Sequence, residues 1–92
     1  MKSGSVRNND ALNRFEIDVD GHKAYMDYRL SPGAITLTLT EVPRELNGRG
    51  IGSALVRGAL EAVRTDGRKV IVQCGFIRAY MAKHPEFNDL LP

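Results

Sequence analysis

Apolar and polar residues alternate through the first half of the chain. In RFEIDV (14–19), Phe15, Ile17 and Val19 share one side, the pattern of a half-buried strand. Asp20-Gly21 is a two-residue hairpin signal. HKAYMDYRL (22–30) alternates again, with Ala24, Met26, Tyr28 and Leu30 on one side, and Pro32-Gly33 suits the centre of a type II turn. AITLTLTEV (34–42) is the clearest strand: Ile35, Leu37 and Leu39 are expected to face one way, Thr36, Thr38 and Thr40 the other. Three consecutive strands with short turns predict an antiparallel meander.

The period then lengthens. From Gly50 onward, Ile51, Leu55, Val56, Ala59, Leu60 and Val63 form a helical stripe, ended by Asp66-Gly67. KVIVQC (69–74) predicts a short buried strand, and FIRAYMAKH (76–84) a second, shorter helix stopped by Pro85. The order is β-β-β-α-β-α, an α+β (or α/β) domain over residues 14–92. The strands flanking the first helix are expected to run parallel, since that connection is long enough for a crossover. Residues 1–13, rich in Ser, Gly and Asn, are expected to fray.

Composition narrows the possibilities. A chain of 92 residues supports one modest core. A formal net charge of +2, with the 13 basic residues spread along the chain, is too weak to imply a nucleic-acid groove. The single cysteine, Cys74, excludes an internal disulfide and a cysteine-rich metal site, so no metal is expected. It fits a reducing compartment. No apolar run reaches the ~18 residues of a membrane span, and the start MKSGSVRNNDALN lacks the apolar region of a secretory signal. A cytoplasmic protein without membrane or nucleic-acid partners is the expectation.

The chemistry concentrates in NGRGIGSALVRGAL (47–60). Gly48, Gly50 and Gly52 precede the helical stripe, although glycine inside a helix costs about 1 kcal/mol relative to alanine. A strand-to-helix turn that needs glycine dihedrals explains them. So does an anion site, because a helix N-terminus offers unpaired N–H groups and glycines let a phosphate approach them. Arg49 would add charge. A dinucleotide fingerprint fails on spacing, with Ser53 and Leu55 where a third glycine would stand. A nucleotide P-loop fails for want of lysine.

The arrangement Asn47-x-x-Gly50-x-Gly52 resembles the acetyl-CoA signature of the GNAT superfamily of N-acetyltransferases: Gln or Arg, two residues, Gly, one residue, Gly or Ala. Asn47 departs from the charged form of that first place. A compact, single-domain branch resembles this chain over its whole ordered length. The shared features are Thr40-Glu41-Val42-Pro43, the glycine loop, Cys74 at a strand end, and Tyr80 followed by His84-Pro85-Glu86-Phe87 and Asp89-Leu90.

The resemblance implies a GNAT-like fold in which the strands before the glycine loop and after the helix splay apart. Pantetheine of acetyl-CoA is then expected in the gap, with backbone contacts from Val42. The diphosphate is expected on the N–H groups of Arg49, Gly50, Ile51, Gly52 and Ser53, beside Asn47 and Gly48. Tyr80 matches the tyrosine that many members place near the coenzyme sulfur as a general acid, and packing on the sheet is its plain alternative. Cys74 ends a strand just before a helix, where a thiol pKa falls. It is expected either to attack the acetyl group or to line the site. The compact branch often carries histidine where Leu39 stands, so a base or polarising group is missing at that place. His84 reads as a structural cap or surface residue rather than a base, and His22 as a solvated turn residue.

Longer members build the acceptor side from an N-terminal helical segment that this chain is not expected to possess. The acceptor groove is then open or completed by a partner, and the acceptor amine is unnamed. The expected function is N-acetyl transfer from acetyl-CoA. A non-catalytic acyl-CoA-binding or partner-binding module is the alternative, and a small interaction domain without ligand is a third reading.

Overall fold

In a computed structural model, residues 5–92 are described. Five strands form one sheet in the order β1-β2-β3-β4-β5. They are β1 (Arg7–Asn9), β2 (Arg14–Val19), β3 (His22–Ser31), β4 (Ala34–Glu41) and β5 (Lys69–Val72). The first four are antiparallel neighbours and β5 runs parallel to β4. The intervening helix α1 (Ile51–Asp66) makes that parallel pairing possible. A second helix, α2 (Gly75–Lys83), follows β5, and a final 3-10 helix covers Pro85–Leu90.

Local chemistry accounts for the turns. Asp20 and Gly21 both take positive φ, 51° and 77°, as a two-residue hairpin requires. Gly33 follows Pro32 at φ 72°, as the third residue of a type II turn does. Gly67, at φ 79°, ends α1 by donating its N–H to the carbonyls of Arg64 and Val63.

One hydrophobic cluster holds these pieces together. Phe15, Ile17 and Val19 of β2 and Ala24, Met26 and Tyr28 of β3 meet Ile51, Leu55, Val56, Ala59, Leu60 and Val63 of α1. Ile77, Tyr80 and Met81 of α2 close the cluster with Phe87 and Leu90. Burying each large apolar chain contributes about 1.5–3 kcal/mol, which offsets the ordering of a short chain.

Three sequence expectations need correction. The frayed N-terminus does not extend to residue 13, because Arg7–Asn9 pair with β2. Arg7 bonds Glu16 and Asp18, the Tyr28 hydroxyl donates to Asn8, and Val6 packs where a Cβ on Gly58 would stand. Residues 1–4, part of the same expectation, lie outside the described residues. The strand over 69–74 is an edge strand ending at Val72 and is buried on one face only: Val70 is buried and Ile71 is exposed.

The third correction concerns β4. Asp27 pairs with Leu39 but Tyr28 pairs with Leu37, so Thr38 is an extra residue in the ladder. Such a bulge reverses the facing of everything beyond it. Thr40, opposite Met26, joins the face of Leu37, while Leu39 turns out to 43% exposure. The Thr38 hydroxyl pins the bulge by donating to the Asp27 carbonyl.

Candidate functional site

The site lies where β4 and β5 part. Pairing runs from Ala34↔Lys69 to Leu37↔Val72, and one further bond joins the Gln73 N–H to the Leu37 carbonyl at 2.9 Å. Beyond it β4 continues to Glu41 while the other chain turns into α2. Thr38–Glu41 thus have β3 on one side and an open gap on the other.

Cys74 stands at the mouth of this gap as the N-cap residue of α2. Its thiol donates to the Thr40 hydroxyl at 3.6 Å. Burial disfavours the thiolate, but the backbone N–H of Ile77, the Thr40 hydroxyl and the backbone N–H of Phe76 outweigh it. The net effect lowers the thiol pKa below its ordinary value. Simple alternation places Thr40 on the opposite face. Only the bulge brings it here, and no glycine or proline in β4 marks that bulge.

The glycine loop stands beside the gap. Val42 and Pro43 leave β4, a 3-10 turn covers Arg44–Leu46, and Asn47 donates its N–H back to the Arg44 carbonyl. Gly48 and Gly50 hold φ 77° and 72° with open space around their α-carbons. That backbone conformation explains both glycines. Gly52 differs: a Cβ there would stand 2.8 Å from the Phe76 ring, so its hydrogen lets that ring lie on the helix.

Gly50 is the N-cap of α1 and no side chain caps the helix. The N–H groups of Ile51, Gly52 and Ser53 therefore lack intrahelical partners, and Ala54 is the first to reach one, the Gly50 carbonyl at 3.0 Å. No acidic residue occupies the first turn. Ile51 buries its side chain, leaving only its backbone to the loop. Arg49 turns its guanidinium to Asp20 of the β2–β3 hairpin at 2.8 Å. A depression of about 260 Å³ lies over this helix start, lined by Val42, Asn47, Gly48, Gly50, Gly52 and Ser53, with Phe76 as a wall.

A second depression, of about 160 Å³, adjoins it across Ser53 and Phe76 and is lined by Tyr80, Lys83 and His84. Tyr80 is 8% exposed. Its ring stacks on His84 at 4.0 Å and tilts against Phe87. The Arg57 guanidinium lies among Tyr80, His84 and Glu86. Tyr80 therefore shares the groove with Ser53 and Phe76, while Cys74 pairs with Thr40 at the strand gap. His84 joins α2 to the final 3-10 helix. Leu39 lies on the face opposite Thr40. Phe76, which the sequence pattern did not single out, walls both depressions.

The residues present fit a CoA-type ligand: an uncapped helix start free of acidic groups can hold a diphosphate, and an unpaired strand edge can hold an extended amide chain. Among the described residues no group of His, Cys, Asp and Glu could hold a metal ion. No helix among them is long and apolar enough to cross a membrane.

These features define a small α+β domain with a split parallel strand pair beside a glycine-started helix. A family profile of GCN5-related N-acetyl-transferases matches residues 14–90. The chain belongs to that family. A solution structure of a GCN5-like candidate N-acetyltransferase from Staphylococcus aureus is similar, with TM-score 0.73 and 26% identity. The similarity covers 100% of this chain and 91% of that one. Comparison with curated proteins gives no match.

Proposed function

We propose that this domain binds acetyl-CoA and transfers its acetyl group to an amine. The gap between β4 and β5, opening beside the uncapped start of α1, is the observation that carries this reading. The N–H groups of Arg49, Gly50, Ile51, Gly52 and Ser53 would hold the diphosphate, with Asn47 and Gly48 shaping the loop. The backbone of Val42, where β4 ends, would hold the pantetheine amides. When bound, acetyl-CoA supplies an acetyl thioester activated toward amines. Cys74 and Thr40 present a polar wall to that reacting end. Tyr80, which lines the adjoining groove, is the proposed proton donor to the leaving group. Among the described residues both helices pack into the one core cluster; an open acceptor side is part of this proposal and would suit a small-molecule or a protein amine.

A second reading, a non-catalytic acyl-CoA-binding module, is favoured by one observation. Leu39 faces away from Cys74, and among the described residues no base is hydrogen-bonded to the thiol. Thermal shift with acetyl-CoA, CoA, NAD and ATP tests the shared premise. Ligand at 100 times its dissociation constant stabilises a fold by about 2.7 kcal/mol. Both CoA forms should shift the melt, and NAD and ATP should not. Gly50→Ala imposes the positive-φ strain without charge and should still bind, whereas Gly50→Glu should not. A Glu variant that binds as well as the parent overturns the site. Acetyl release with a panel of amines then separates enzyme from binding module.

A further inference from the structure

We propose that Thr40 is a positioning residue for Cys74, delivered to the thiol by the Thr38 bulge. Its functional meaning rests on the reading of the β4–β5 gap as the acetyl site, but the contact itself does not.

The argument starts with strand parity. In an unbroken ladder Thr40 would face away from the core with Thr36, and Leu39 would face the gap. The extra residue inverts this, and Thr40 lands opposite Met26 on the core face. The bulge is held in place from within, since the Thr38 hydroxyl donates to the Asp27 carbonyl at 3.2 Å. The result is a hydroxyl 3.6 Å from the only sulfhydryl in the chain, at the point where two strands have just separated. A valine, equally suited to a strand, would fill the same space without the contact.

The hydroxyl serves both forms of the sulfur. It accepts from the neutral thiol. When the thiol loses its proton to solvent, the hydroxyl rotates and donates to the thiolate. The other groups acting on the sulfur are the backbone N–H donors of Ile77 and Phe76 at the start of α2 and the backbone of Thr40 itself, which a side-chain substitution leaves in place. Charged neighbours on the surrounding elements are directed elsewhere. Arg78 of α2 donates to the Val72 carbonyl, Lys69 of β5 donates to the Asp89 carbonyl, and Arg29 of β3 reaches Gln73. Glu41 of β4 is exposed. Among the described residues, Thr40 is thus the one side chain that bonds the thiol.

The test uses the full chain without ligand, and the single cysteine makes the signal unambiguous. Alkylation of Cys74 by iodoacetamide is followed from pH 6 to 10 for the parent, Thr40→Val and Thr40→Ser. Melting curves confirm that each is folded. Removal of one ordinary hydrogen bond should slow Thr40→Val roughly fivefold at neutral pH and move its rate profile to higher pH. Thr40→Ser should restore the parent profile. An unchanged profile in Thr40→Val overturns the proposal, and so does a serine variant that behaves like valine. Should valine fail to fold, the serine variant decides, with a parent-like profile expected and a displaced one contrary. Acetyl-CoA thermal shifts on the same proteins keep the two readings apart: loss of binding in the parent would sink the cofactor reading and leave the alkylation result standing.

Discussion

The two halves of β4 behave as different objects. Ala34–Leu37 is hydrogen-bonded on both sides, to β3 and to β5, and contributes Ile35 and Leu37 to the core. Thr38–Glu41 is bonded on one side only, begins with a bulge, and carries an exposed Leu39 beside an inward Thr40. The first half is bound by packing and a complete ladder. The second leaves backbone groups free and brings one polar side chain, Thr40, to Cys74. Stability and candidate chemistry are thus separated by about one residue along a single strand, and substitutions on either side of Thr38 should separate them in measurement.

The largest effect is expected in the paired half. Leu37, fully buried, should cost about 2–5 kcal/mol when cut to alanine, read by denaturant unfolding. A small loss would mean that the two halves do not differ as described. Next comes Tyr80→Phe in the adjoining groove. It keeps the ring stacked on His84, so stability should change little, while acetyl transfer should fall by ~100-fold, the usual effect of removing a positioned acid. Unchanged turnover would make Tyr80 a packing residue.

A third measurement tests the far edge of the sheet. Burial alone would push the Glu16 carboxyl up, but Asn9, Lys23 and Arg7 surround it and hold its pKa below the ordinary value. Because the folded value lies below the unfolded one, the stabilisation is present above the ordinary carboxylate range. It is lost as pH falls through the folded value. Glu16→Gln should flatten that acid dependence of unfolding, and an equally steep curve would remove Glu16 as its source. The smallest effect belongs to the unpaired half: Cys74→Ala should change stability by no more than about 1 kcal/mol and leave acetyl-CoA affinity intact. Turnover in that variant then sharpens the picture, since retention marks a lining thiol and loss marks a nucleophile.

Much of the molecule was legible in the amino-acid order. The strands over 14–19, 22–30 and 34–42 and the helix after Gly50 follow from the period of apolar residues, which local geometry imposes. Asp20-Gly21, Pro32-Gly33 and Gly67 are turns that few other residues could make. The loop NGRGIG and the Thr40–Pro43 segment pointed to the family for the same reason: they are short, local and chemically constrained.

What the tertiary structure alone decided depends on partners distant in sequence. The strand at Arg7–Asn9 forms because Glu16, Tyr28 and Gly58 receive it, and its own composition looks like a tail. Gly52 is small because Phe76 lies on it, 24 positions away. Thr40 faces Cys74 because one residue is gained against β3, a property of the register between two strands that neither strand displays alone. Periodicity along a chain reports which neighbours share a face only while the ladder is unbroken. Where it breaks, the pairing partner sets the facing, and at that break Thr40 meets the thiol.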